Sequence, residues 1–172
     1  LLFAGEEDRR LVYDMSQEPE IFNSMVAGEN EFSYEEIENE DPEFFNGQNS
    51  YNKYLFIEYN GELVGVISHT YNDAPIQNFE LDIWLKASSL TGKGIGSKAI
   101  RHLAEFLFAK YKINTFIMRP YINNLRAIRA YQKAGLKMAD DFVPAKYYSK
   151  YLEEHGKGDY GDETANMVME LF

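Results

Sequence analysis

No cysteine occurs anywhere in the 172 residues. That removes disulfides, thiolate metal ligands and a cysteine nucleophile together, and it fits a reducing, cytoplasmic setting. Histidine is almost as scarce: His69, His102 and His155 are scattered, with no ligand spacing such as His-x-x-x-His, so no metal site is expected. Ser68-His69 is no triad fragment, because neighbours on a strand point to opposite faces. No apolar run approaches the length of a membrane-spanning helix, so no membrane partner is expected. Basic residues are short in one region. Residues 1–52 hold 14 acids against 2 bases, whereas 53–172 hold 14 acids against 15 bases, within a net charge of −11. Such a surface repels nucleic acid and suits a cationic partner. A solvated acidic face that only aids solubility explains the same run.

What is present is a chain able to bury a core. Hydrophobic residues make up 45% and aromatics 15% of the sequence, which excludes disorder as the dominant state and fits one domain over 1–172. Glu6–Met15 reads as a helix with Leu11 and Val12 inward. Tyr34–Glu40 reads as another, with Ser33 as N-cap and Glu36 completing a capping box. Asp41–Asn52 is loop-like. Tyr54–Tyr59 and Glu62–Tyr71 are strands joined at Asn60-Gly61, a hairpin signal because both turn positions need positive φ. Phe79–Leu85 alternates as a strand, Gly96–Tyr111 has helical spacing, and Thr115–Met118 is a short strand. Asn124–Lys133 is a helix closed by Gly135. Leu136–Phe142 and Asn166–Leu171 read as the last strands, with a Tyr-rich, poorly patterned stretch over Val143–Thr164 between them. Helices, a three-strand meander and then strand–helix–strand–helix–strand–strand make a mixed sheet with helices on it.

One loop carries chemistry. Thr91-Gly92-Lys93-Gly94-Ile95-Gly96-Ser97 joins a strand to an amphipathic helix. Its glycines let the backbone turn tightly and approach a ligand, and the helix N-terminus offers free N–H groups to an anion such as pyrophosphate. Lys93 and Lys98 add positive charge. A Walker A loop and a dinucleotide fingerprint both fail on residue spacing, Ser97 standing where the latter needs glycine. An ordinary tight strand–helix connection accounts for the same glycines.

The loop resembles the acetyl-coenzyme A pyrophosphate loop of GNAT acetyltransferases, whose pattern is Gln/Arg-x-x-Gly-x-Gly/Ala. About 30 residues on, the run from Asn124 through Ala127, Tyr131, Lys133 and Gly135 to Leu136 is similar to that family's second signature, Asn-x-x-Ala-x-x-x-Tyr-x-Lys-x-Gly-Phe. Within the family the best match is to aminoglycoside 6'-N-acetyltransferases, on the spacing from Asp82 to the loop and on the Asn-Leu-Arg-Ala-Ile-Arg run. Thr91 and Leu136 depart from the usual Gln/Arg and Phe. The close resemblance covers Phe79–Phe142.

The resemblance implies an α/β (α+β) GNAT fold, a central mixed and mostly antiparallel sheet of six to seven strands flanked by helices. It implies acetyl-coenzyme A as cosubstrate, held by Gly92, Lys93, Gly94, Ile95, Gly96 and Ser97, by the backbone of Trp84 and Leu85, and by Asn124, Ala127 and Tyr131. Asp82 becomes the base for the amine, with Glu80 on its face as a second carboxylate for a cation. Tyr131 becomes the acid for the leaving thiolate, and a backbone N–H near Ile83–Leu85 polarises the carbonyl if the strand bulges. For each there is a plainer role: surface carboxylate for Asp82, packing for Trp84, core or stacking aromatic for Tyr131. The expected partner is a small cationic amine, foremost an aminoglycoside. A protein N-terminus, polyamine or amine metabolite is the alternative, and a non-catalytic acetyl-coenzyme A sensor is a third reading. The chain is expected to act as a monomer or homodimer.

Overall fold

The computed structural model describes residues 1–26, 32–46, 51–148, 158 and 160–172. Among the described residues the strands form one seven-stranded sheet. They are β1 (Leu2–Phe3), β2 (Lys53–Tyr59), β3 (Glu62–Asn72), β4 (Asn78–Leu85), β5 (Thr115–Met118), β6 (Lys137–Met138) and β7 (Met167–Glu170), in the order β1-β2-β3-β4-β5-β7-β6. The one parallel pair is β4–β5, and the other neighbours run antiparallel.

The meander closes where the sequence demands it: Asn60 and Gly61 take φ of 53° and 79°, the turn whose twist matches its strands. Helices α1 (Arg9–Asp14), α2 (Pro19–Met25), α3 (Tyr34–Asn39) and α4 (Glu43–Asn46) lie N-terminal to it. The capping box of α3 forms, with Glu36 N–H bonding Ser33 and Ser33 N–H bonding Glu36. Only Val12 of the expected inward pair on α1 is buried; Leu11 is exposed, because six helical residues present a narrow stripe to the sheet. Helix α2 falls where the sequence suggested no element, and α4 falls inside the expected loop.

Two clusters cover the two faces of the sheet. On one, Leu55, Ile67, Phe79 and Leu81 pack against Ile100, Leu103 and Leu107 of α5 (Ile95–Tyr111). Phe106 of α5 is exposed. On the other, Tyr54, Phe56, Val66 and Trp84 pack against Val12, Ile21, Ile37 and Phe45. Helix α6 (Leu125–Ala134) follows β5, capped at one end by the Asn124 side chain and closed at the other by Gly135 at φ 114°. The expected strand over Leu136–Phe142 shrinks to Lys137–Met138, after which the described residues of 143–164 contribute α7 (Pro144–Tyr147) and a helical turn at Gly161–Glu163.

Candidate active site

The site begins where two parallel strands part. β4 pairs with β5 at Phe79↔Phe116 and Glu80↔Ile117. Beyond Glu80, β4 continues to Leu85 beside β3 alone. The bulge on which the carbonyl-polarising N–H was conditioned is absent from the β3–β4 ladder. The β3–β4 register runs unshifted from Asn72↔Asn78 to Gly65↔Leu85, so the opening arises from strand divergence. Lys86 N–H donates to Val64 O at 2.9 Å, which assigns even-numbered residues of β4 to the β3 ladder and turns the backbone of Leu81, Ile83 and Leu85 toward the gap. Asp82 Oδ1 accepts the Ile83 N–H at 2.8 Å and Leu81 is the neighbour of the Glu80↔Ile117 pair with β5, so Leu85 offers the remaining N–H on that side.

A cavity of about 720 Å³ runs through this opening. At one end it meets the glycine loop. Gly92 and Gly94 take φ of 74° and 80°, and the space a Cβ would fill at each is open. No side chain caps α5, and by position the N–H groups of Ile95, Gly96 and Ser97 have no helical partner. A 17-residue helix ending in bare N–H groups at a concave glycine loop fits a diphosphate. The lining includes Trp84, Leu85, Gly92, Gly94, Ile95, Gly96, Ser97, Asn124, Ala127 and Tyr131. Lys93 is exposed and outside it. The Ser97 hydroxyl donates to Ala130 O at 2.9 Å, joining α5 to α6, so Ser97 offers the loop its backbone. Asn124 Oδ1 accepts from Ala127 N–H.

At the other end stand the ionisable groups. Asp82, Ser68 and Tyr54 form one row across β4, β3 and β2, and all three line the cavity. Tyr131 on α6 is buried, and its phenol is pushed far above the ordinary range by burial, then by the charge of Asp82 and by Tyr160. Tyr54 is raised likewise, by burial first and then by Glu40 and Asp82. Glu80 also lines the cavity, but Arg119 binds it at 2.7 Å, so a cation meets a carboxylate already paired. Arg119 in turn lies 4.6 Å from the Tyr148 ring centre.

Helix α2 bridges the cavity through three contacts distant in sequence. The Ser88 hydroxyl donates to Glu18 at 3.2 Å, Arg126 binds Glu20 at 2.6 Å, and the Tyr160 hydroxyl donates to Met25 O at 2.9 Å. Ile21, Ser24, Met25, Glu40, Tyr54 and Tyr160 are lining residues absent from the sequence-based set. Pro19 at the first helical position, four residues after Met15, was the available signal for α2. Residues 149–157 and 159 of the Tyr-rich stretch expected to shape the acceptor end lie outside the described residues; among the described ones Tyr160 reaches the cavity.

The sequence profile of the acetyltransferase (GNAT) domain matches residues 3–137. The chain belongs to the GNAT acetyltransferase family. Over 57 residues it is 42% identical to aminoglycoside N(6')-acetyltransferase type 1 of Klebsiella pneumoniae, a match covering 33% of this chain and 28% of that protein. The chain thus spans less than a third of that curated relative in the match. Its fold is that of an aminoglycoside acetyltransferase, AAC(6')-Ib, solved with coenzyme A and kanamycin (TM-score 0.68, 22% identity, 98% of this chain and 92% of that one). It is equally that of the spermidine N-acetyltransferase of Vibrio cholerae, solved with coenzyme A and spermine (TM-score 0.66, 14% identity, 98% and 92%). The GNAT fold accounts for the seven-stranded mixed sheet, and no helix among the described residues is long and apolar enough to cross a membrane.

Proposed function

We propose that the chain transfers an acetyl group from acetyl-coenzyme A to a primary amine of a small cation, with the 6'-amino group of an aminoglycoside as the first acceptor to test. The observation that carries this reading is one continuous cavity lined by the glycine loop, by the parted backbone of β4 and by Asp82. Acetyl-coenzyme A supplies an activated thioester. The chain's own residues do the rest.

The N–H groups of Ile95, Gly96 and Ser97 hold the diphosphate. The backbone of Leu81, Ile83 and Leu85 takes the extended arm as a missing strand would, with Leu85 N–H as the oxyanion donor. Asp82 removes the proton that keeps an alkylamine cationic below about pH 10. Tyr131 stays protonated across the working range. Because its phenol sits above a thiol's value of about 8.5, handing over the whole proton is uphill; its part is to stabilise the leaving thiolate by a hydrogen bond. Tyr131→Phe therefore lowers kcat by about 10- to 100-fold, a hydrogen bond to a charged group, and leaves the KM for the amine near wild type. Steady-state kinetics at saturating acetyl-coenzyme A decide it; an unchanged kcat removes Tyr131 from the reaction.

The reading itself is tested by following release of coenzyme A with a thiol-reactive dye, to which a cysteine-free protein is silent. The panel holds 6'-amino aminoglycosides, spermidine and short peptides with free N-termini. Turnover on the first group supports the favoured acceptor. Turnover on spermidine alone keeps the chemistry and moves the acceptor to polyamines, a reading favoured by the shared fold with a spermidine acetyltransferase. No turnover on any amine favours a binding protein.

A further inference from the structure

The acidic N-terminal third is mostly committed elsewhere. Glu6 binds Arg9 at 2.6 Å and Asp14 binds Arg10 at 2.8 Å. Glu18 caps α2 and bonds Ser88, Glu20 binds Arg126, Asp8 bonds the Gly5 N–H, and Glu36 serves the capping box. Among the described residues of that third, Glu40 is the carboxylate that lines the cavity. It is also positioned: Oε1 accepts from Asp41 N–H at 3.1 Å and Oε2 from the Tyr54 hydroxyl at 3.4 Å. A carboxylate has about four acceptor sites, so two bonds orient it and leave capacity for a cation. Arg9 contacts this residue through its backbone carbonyl at 2.9 Å, with its charge turned to Glu6.

Tyr54 stands between two charges. Its phenol is raised first by burial and then by Glu40 and Asp82, and it shares a cross-strand row with Asp82. The wall around it is aromatic, with Phe44 at 5.3 Å and Trp84 at 6.2 Å between ring centres. Trp84 is 5% exposed, lines the same cavity, and its indole N–H has no hydrogen-bond partner among the described residues. A buried donor of that kind wants an oxygen, and aromatic faces suit an ammonium. Glu80, the other cavity-lining carboxylate on the face of Asp82 among the described residues, is already paired with Arg119.

We propose that Glu40 is a second ammonium anchor, so that the acceptor carries two amino groups, one at Asp82 and one at Glu40, on an oxygen-bearing frame such as an amino sugar. This rests on the acetyl-transfer reading above and adds a specificity-determining residue to it.

The test is Glu40→Gln, compared on an acceptor with several amines (kanamycin) and on 6-amino-6-deoxyglucose, which presents one. The variant raises KM for kanamycin by about 10- to 100-fold, the loss of a hydrogen bond between charged groups. It leaves kcat, the KM for acetyl-coenzyme A and the KM for the monoamine near wild type. Glu40→Asp recovers part of the difference. Isothermal titration of kanamycin into wild type and variant reads the same anchor without turnover, so an inactive enzyme that still loses affinity on Glu40→Gln upholds the anchor while sinking acetyl transfer. Equal effects on both acceptors, or none on either, overturn the proposal. A thermal melt within about 2 °C of wild type, the scale of half a kcal/mol for a chain of this size, certifies that the variant is folded.

Discussion

Asp82→Asn lowers kcat/KM for the amine by about 10²- to 10⁴-fold, the span of a lost general base. The substitution keeps the shape of the side chain and keeps the oxygen that accepts the Ile83 N–H at 2.8 Å, so the strand and its opening survive. What goes is the basicity and the charge. An alkylammonium with a pKa of about 10 is neutral in roughly one molecule per thousand at pH 7; without a base only that fraction reacts. The variant's rate therefore climbs about tenfold per pH unit toward the pKa of the amine, and the gap from wild type narrows as pH rises. Affinity for acetyl-coenzyme A, read by calorimetry, stays within about twofold, because the diphosphate end is built by other residues. A uniform loss at every pH gives Asp82 an anchoring role; a parallel loss of acetyl-coenzyme A affinity makes it structural.

The same residue shows how far local patterns reach. Strand alternation over Phe79–Leu85 was enough to give Asp82 and Glu80 one face, and the structure lines the cavity with both. Nothing local says that Arg119, 39 residues on, pairs with Glu80. Signals resting on backbone stereochemistry were legible in the same way: the Asn60-Gly61 turn, the Ser33–Glu36 box, the closure at Gly135. Features made by distant partners were not. Helix α2 has seven residues, too short for a clear period, and what fixes it is Glu18 to Ser88, Glu20 to Arg126 and Met25 to Tyr160. The opening between β4 and β5 was expected only through the family resemblance, not from any local pattern. It comes from the relative paths of two strands, which their own residues do not encode.

Beside that opening, β3 and β4 approach closely at one small residue. Gly65 on β3 lies opposite Leu85, where β4 has left β5, and a Cβ there would stand 2.4 Å from the Trp84 carbonyl oxygen, 2.9 Å from Leu85 Cδ2 and 3.0 Å from Leu85 Cα. Two of those atoms are backbone, so no rotamer change relieves the clash; β3 and β4 must separate. Gly65→Ala therefore costs about 3 kcal/mol, the upper range for overpacking, and lowers Tm by about 6–12 °C for a chain of this size. Gly61→Ala is the contrast. There the φ of 79° is unfavourable to alanine but the space is open, so the cost is about 1–2 kcal/mol and the site is undisturbed. Thermal unfolding separates the two, and kinetics add a second readout. Displacing Trp84 and Leu85 moves the wall proposed to take the acetyl-coenzyme A arm, so folded Gly65→Ala has a raised KM for acetyl-coenzyme A that Gly61→Ala lacks. If Gly65→Ala melts with wild type, the two strands can part without loss, and the close approach does not hold the opening in place.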